Sequence, residues 1–106
     1  MQTNFIIIFV ACASKNEADK ILVSLLKKKL VACGSVIRGV QSKFWWLGKI
    51  DKADETILML KTKRRAFNAI EDEVRSLHSY EVPEIIALPV VTGSGPYLDW
   101  INKTIK

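Results

Sequence analysis

The chain has 106 residues, of which 49% are hydrophobic and 25% are charged, and its formal net charge is +5. This balance is typical of one soluble globular domain spanning residues 1–106. The longest apolar run, 5–13, is far shorter than the roughly 20 residues that cross a bilayer, and no basic flank precedes it as in a signal peptide. We therefore expect no membrane partner. Two cysteines in apolar surroundings predict reduced thiols and a cytoplasmic protein.

The first third of the chain predicts a strand followed by a helix. Segment 5–13 is short and rich in Ile, Phe and Val, as in a strand buried on both faces. Ser14 and Glu17 then match a capping box, in which each side chain bonds a backbone N–H near the helix start. The apolar stripe that continues the helix keeps three- and four-residue spacing through Ala18, Ile21, Leu22, Leu25, Leu26 and Leu30.

The middle of the chain predicts a hairpin. Segment 35–47 is β-branched and aromatic with interspersed polar residues, which suits a long strand with one exposed face, and Gly39 indicates a bulge or bend. Segment 48–54 supplies turn residues, and 55–61 is a second strand. Trp45 and Trp46 are adjacent, so they point to opposite faces of the strand and cannot enter the same core.

The last part predicts a helix, an edge strand and a terminal helix. Residues 64–78 return to helical spacing. Segment 84–91 is a strand that carries Pro89, which cannot donate to a ladder and therefore indicates a sheet edge. Pro96 opens the final helix at its first position. Its buried side consists of Leu98, Ile101 and Ile105.

The predicted order is β-α-β-β-α-β plus a terminal helix. Right-handed crossovers then place the two main helices on one face of a four-stranded antiparallel sheet. This is an α+β, ferredoxin-like sandwich, with the first and third strands central and the second and fourth at the edges. The fold serves many functions and therefore decides none of them.

Residues 78–85 crowd a histidine, a tyrosine and two glutamates into a short link, which indicates a site. Cys12, Cys33, His78, Glu81 and Glu84 are the candidate metal ligands. A thiolate with an imidazole suits copper, whereas a single histidine without C-x-x-C spacing argues against structural zinc. The alternative is that both cysteines are core residues and that His78 caps a helix.

Other functions are not favoured by the sequence. Binding of RNA in this topology needs aromatic residues on the central strands, and the third strand, 55–61, has none. We therefore expect no nucleic-acid partner. A cysteine and a histidine could form a nucleophilic pair, but no orienting third residue can be identified. We predict that the protein is not an enzyme.

The chain resembles the CutA divalent-cation-tolerance proteins over nearly its whole length. The matching segments are 31–33, 39–42, Trp45-Trp46, 48–50, 60–62, 78–85, 87–89 and 97–100. The resemblance implies a ferredoxin-like fold, a homotrimer similar to the PII signalling proteins, a cytoplasmic location and a response to divalent cations, copper in particular. It also implies a copper site at Cys12, Leu77 and His78, although Leu77 replaces a histidine and Ser79 stands where the family usually has proline.

Two functional classes follow. In the first, a metal-responsive protein binds a divalent cation at Cys12 and His78, or a small ligand in a cleft at the subunit interfaces. That cleft is predicted to be lined by Cys33, Tyr80, Glu81 and Glu84, with His78 beside them. In the second, the chain is a PII-like trimeric signalling or scaffold module that needs no metal.

Overall fold

A computed structural model describes residues 4–105 and contains a four-stranded antiparallel sheet and three α-helices. The elements, in chain order, are β1 (Phe5–Cys12), α1 (Lys15–Lys27), β2 (Cys33–Trp46), β3 (Lys49–Lys63), a 3-10 turn (Arg64–Ala66), α2 (Phe67–Leu77), β4 (Ile85–Pro89) and α3 (Gly95–Thr104). The strands lie in the order β2-β3-β1-β4. The predicted topology is therefore confirmed, with β1 and β3 central and the proline-bearing β4 at an edge.

Side chains alternate between the two faces of β1. Ile6, Ile8 and Val10 are buried beneath α1 and α2, whereas Ile7 and Phe9 are only half-buried on the other face. We call this other side the open face. The prediction that β1 is buried on both faces is wrong for the single chain, because α3 covers only the end of the open face near Phe5.

Helix α1 begins and ends at specific backbone contacts. The Ser14 hydroxyl accepts a hydrogen bond from the Glu17 N–H at 3.1 Å, and a Glu17 carboxylate oxygen accepts one from the Ala13 N–H at 3.1 Å. The helix stops at Lys27, three residues before the predicted Leu30. The reason is that Lys29 adopts a left-handed φ of 55°, which turns the chain and ends the i to i−4 pattern.

The β2–β3 hairpin is longer than predicted. Its strands meet at a two-residue turn, Leu47-Gly48, where both residues have positive φ, as in a type I′ turn. The prediction of a turn over 48–54 is therefore wrong, since β3 starts at Lys49. Gly39, with a φ of 74°, lies in the predicted bulge, where the register shifts between Ile37 and Val40.

The hairpin extends past the end of β1. Cys12, the last residue of β1, pairs with Thr56, so the earlier residues of β3 have no strand beside them on that edge. The segment between α2 and β4 lies there instead, because α2 ends at Leu77 and the Ala11 N–H donates to the Glu84 carbonyl at 3.3 Å. This geometry places the link 78–84 beside the outer half of the hairpin.

Candidate functional site: a metal-ligand corner beside a cleft

Three potential metal ligands meet where β1 ends, α1 begins and α2 ends. Cys12 is the last residue of β1, Glu17 lies in the first turn of α1, and His78 follows α2. Their ligand atoms all lie within 4.8 Å of one another. The structure thus brings the predicted pair Cys12 and His78 together and adds Glu17, which the sequence had indicated only as a helix cap.

Both ring nitrogens of His78 already have partners. Nε2 lies 2.7 Å from the Ala11 carbonyl, which can only accept, so Nε2 carries the proton. Nδ1 accepts from the Tyr80 N–H at 3.0 Å and must be unprotonated. The imidazole is therefore neutral, and its side chain is 0% exposed. A cation can bind Nδ1 only by replacing the Tyr80 N–H.

The Glu17 carboxylate joins the start of α1 to the link after α2. One oxygen accepts from the Ala13 N–H and the other from the Ser79 N–H, both at 3.1 Å. Burial alone would raise the pKa of Glu17, but the hydrogen bonds from Ser79 and Ala13 outweigh it, so the pKa is lowered. Glu17 is therefore ionised at neutral pH, and it lies 3.5 Å from His78 Nδ1.

Cys12 is fully buried and protonated. Burial, followed by the charges of Glu17 and Glu55, raises the pKa of its thiol to about 12. A metal ion needs the thiolate, so binding at this corner would release a proton and strengthen as pH rises. The corner offers one soft, one borderline and one hard donor, a set that suits copper or zinc better than magnesium.

Tyr80 connects the corner to a neighbouring cleft. Its ring centroid lies 4.8 Å from that of His78, and its hydroxyl donates to Glu55 Oε2 at 2.9 Å. Burial, followed by the hydrogen bond to Glu55, raises the pKa of Tyr80 to about 12. Glu55 is only 8% exposed. The sequence did not indicate Glu55 as a site residue, because its partner is 25 residues away and no local pattern links the two.

Two adjoining clefts, each of about 370 Å³, lie between the hairpin and the link 78–84. Phe44, Tyr80 and Val82 contribute to both. The first is also lined by Ala11, Ser42, Lys43, Glu55 and Glu84, and the second by Trp46, Ala53, Ser79 and Glu81. The predicted residues Tyr80, Glu81 and Glu84 thus surround one region, although Glu81 and Glu84 line different clefts.

Cys33 lies elsewhere. It pairs with Lys61, which pairs with Ile7 near the start of β1, five residues from Cys12. At about 3.3 Å per residue this is roughly 17 Å along the strand. The Lys61 ammonium lies 3.9 Å from Cys33 Sγ and 3.0 Å from Ser35 Oγ. Within one chain, Cys33 is therefore far from Tyr80 and Glu84, because β2 begins at the opposite end of the sheet. The cleft predicted at the subunit interfaces would need Cys33 from a neighbouring copy.

Comparison with known proteins places this architecture in a family. The family model described as CutA1 divalent ion tolerance protein matches residues 6–104. A divalent-cation tolerance protein CutA of Archaeoglobus fulgidus is 40% identical over 93% of this chain and 96% of its own length. The human protein CutA is 41% identical over 92% of this chain, which spans only 55% of that protein. The chain belongs to the CutA1 divalent ion tolerance family.

Solved structures agree with this assignment. A CutA1 from Oryza sativa superposes with a TM-score of 0.95 at 32% identity, covering 98% of this chain and 95% of that one. The Archaeoglobus fulgidus structure, described as a periplasmic divalent cation tolerance protein, gives 0.94 at 39% identity over 96% and 99% of the two chains. Within residues 4–105, no helix is long and apolar enough to span a bilayer.

Proposed function

We propose that the protein is a non-enzymatic, cytoplasmic homotrimer that responds to divalent metal ions such as copper by binding the cation at Cys12, Glu17 and His78. The observation that carries this proposal is the approach of three ligand atoms, from three separate elements, to within 4.8 Å. Membership of a divalent ion tolerance family supports the same class of ligand. The resemblance implied a copper site at Cys12, Leu77 and His78, but the Leu77 side chain cannot bind a metal. We propose that Glu17 supplies the third ligand atom instead.

Binding at the corner would be coupled to the cleft. His78 Nδ1 could hold a cation only if it gave up the Tyr80 N–H, and the Tyr80 hydroxyl is the group that donates to Glu55. Loss of the Tyr80 N–H contact would therefore free the link 78–84 to move relative to the cleft beside it. A binding role rather than a catalytic one is favoured, since the Cys12 thiol is protonated and His78 has no nitrogen available as a general base.

Apolar surface left uncovered in the single chain supports the trimer. Trp45 is 73% exposed, Leu47 85% and Ile50 67%, all at the outer end of the hairpin. On the open face, Ile37, Ile86 and Leu88 are also exposed. Contiguous apolar patches of this kind are typical of surfaces that pair with another protein, and three copies would cover both the patches and the sheet edges.

A second candidate is a trimeric signalling or scaffold module that binds a small ligand, or none, without metal. It is favoured by the satisfied hydrogen bonds of His78, which a cation must break. In that case the ligand binds around Tyr80, Glu81 and Glu84 at a subunit boundary, where Cys33 could be contributed only by a neighbouring copy. The cytoplasmic location is supported by the two free cysteines.

Calorimetric titration of the tag-free protein with Cu(II) and Cu(I), at two pH values, tests the metal proposal. We expect a site that weakens at least tenfold in Cys12→Ser and in Glu17→Gln, and whose affinity rises with pH. Cys33→Ser is the matched control and should bind as the unsubstituted protein does. A tight one-per-subunit Cu(II) site that persists when Cys12→Ser and His78→Ala are combined would refute this placement.

Light scattering tests the assembly. A trimer of 12.0 kDa chains has a mass of about 36 kDa. If Trp45 or Trp46 anchors the interface, its truncation to Ala should weaken association by roughly 2–4 kcal/mol and shift the mass toward the monomer. A monomeric mass for the unsubstituted protein at micromolar concentration would exclude the trimer.

A further inference from the structure

The cleft between the hairpin and the link 78–84 has an unusual combination of charge and apolar wall. Its floor is the stretch of β3 that extends beyond β1, so one side is strand and the other is irregular chain. Its volume of about 370 Å³ is in the range of small-molecule sites.

Two carboxylates face this cleft without a cationic partner. Glu55 is 8% exposed, and within residues 4–105 the one side chain that donates to it is the neutral Tyr80 hydroxyl. Glu84, at the mouth, is exposed. Across residues 4–105 neither carboxylate has a Lys, Arg or His nitrogen within 4.0 Å, although Lys43 lines the same cleft. A buried carboxylate with one neutral donor is under-stabilised, and a bound cation would compensate it.

The remaining walls do not suit a bare metal ion. Phe44, Val82 and Ala11 are apolar, and the Tyr80 ring adds a second aromatic face. The side-chain oxygens of this lining belong to Glu55, Glu84, Ser42 and Tyr80, and those of Glu55 and Tyr80 already bond each other. Calcium prefers six to eight oxygen ligands, whereas much of this wall is hydrocarbon. Aromatic faces, in contrast, attract organic cations, and apolar side chains accommodate their methyl or methylene groups. The lining therefore favours an organic cation, in which the positive charge is bonded to hydrocarbon groups.

We infer that this cleft binds a small organic ammonium ion, with its charge beside Glu55 and Glu84 and its carbon atoms against Phe44 and Tyr80. The inference rests on the small-ligand half of the proposed function and specifies its ligand class. It does not depend on copper binding at Cys12, Glu17 and His78, because the two carboxylates that define the cleft are not among those ligands.

The test is an NMR titration of the ¹⁵N-labelled full chain with tetramethylammonium chloride. tert-Butanol serves as the neutral probe of similar shape, and KCl and MgCl₂ serve as inorganic cations. We expect saturable shifts of the Phe44, Tyr80 and Glu55 amides at millimolar ammonium, and at least tenfold weaker binding of tert-butanol. Glu55→Gln should weaken ammonium binding about tenfold or more, and Phe44→Leu severalfold.

Asp72→Asn is the matched control, since it removes one exposed carboxylate on α2 and should leave binding unchanged. Circular dichroism of each variant confirms folding, and Phe44→Leu tests the aromatic wall with both carboxylates intact. Equal binding of tert-butanol, or unchanged affinity in Glu55→Gln, would overturn the inference. Saturable Mg²⁺ binding that depends on Glu55 but not on Phe44 would overturn it too, while leaving the proposed cation response intact.

Discussion

Replacing Tyr80 by Phe removes the one hydroxyl that links the site to the hairpin. The change preserves the ring and its contact with His78, whose centroid lies 4.8 Å away, but deletes the hydrogen bond to Glu55 Oε2. A hydrogen bond to a charged acceptor contributes roughly 1.5–3 kcal/mol. Glu55 is buried and forms no ion pair with any residue that the structure describes. We therefore expect Tyr80→Phe to lower the free energy of unfolding by about 2 kcal/mol.

Urea unfolding at a fixed protomer concentration measures this loss, and Glu55→Gln supplies the matched background. The amide of Gln still accepts from Tyr80 but carries no charge, so Tyr80→Phe should cost only about 1 kcal/mol in that background. An equal cost in both backgrounds would show that the charge of Glu55 is irrelevant. A cost below about 0.5 kcal/mol in the unsubstituted protein would refute the reasoning altogether.

The burial of Tyr80, together with the hydrogen bond to Glu55, predicts a pH dependence. The folded protein raises the pKa of Tyr80 from 10.0 to about 12, which means that folding favours the protonated phenol. The stabilisation is therefore complete below pH 10 and is lost as pH rises toward 12. We expect the difference between the unsubstituted protein and Tyr80→Phe to shrink over that interval. A difference that grows with pH would contradict the assigned donor and acceptor.

Three further predictions concern the corner and the hairpin tip. Glu17→Gln should lower the free energy of unfolding in urea by about 2 kcal/mol at neutral pH, since the single amide oxygen of Gln cannot accept from both the Ala13 and the Ser79 N–H. Because folding lowers the pKa of Glu17, this difference should fade as pH drops below 4.5. In Cys33→Ser, thiol reagents should modify Cys12 at pH 8 only after urea is added, and rapid labelling of the folded protein would contradict its burial. Gly48→Ala should lower the stability of the chain by roughly 1 kcal/mol, because alanine is strained at the left-handed φ of 79°. An unchanged unfolding curve would show that the turn accepts a side chain at that φ.

The strand order was predictable because each element has a clear period and Pro89 identifies an edge. The bulge at Gly39 was predictable for a similar reason, since glycine within a strand has few other roles. The position of the hairpin turn was not predictable in this way. Residues 48–54 are mostly polar and include a glycine, so they resemble a loop. This part of the hairpin extends past β1 and covers no core within the chain, so its strands lack the apolar alternation that would have indicated a strand.

The site was predictable only in part. Cys12 and His78 could be placed together from the family resemblance, and the density of polar groups indicated the link 78–85. Glu17 and Glu55 were not predicted because their roles depend on contacts with residues 25 to 62 positions away. Cys33 lies far from Tyr80 and Glu84 within one chain, so its predicted place in a cleft at the subunit interfaces stays a prediction that requires a neighbouring copy.

The bulge bends the hairpin without changing which aromatic side chains reach the cleft. From Ile37 to Val40, three steps along β2 lie opposite two steps along β3, so that after the bulge Phe44 and Trp46 share a face with Glu55. Deleting Gly39 would leave two steps opposite two. Val40 would still pair with Glu55 and Phe44 would keep its side, but the extra twist that a bulge gives a strand would be lost. The glycine therefore sets the curvature of the hairpin, while the alternation of the strand sets the wall of the cleft.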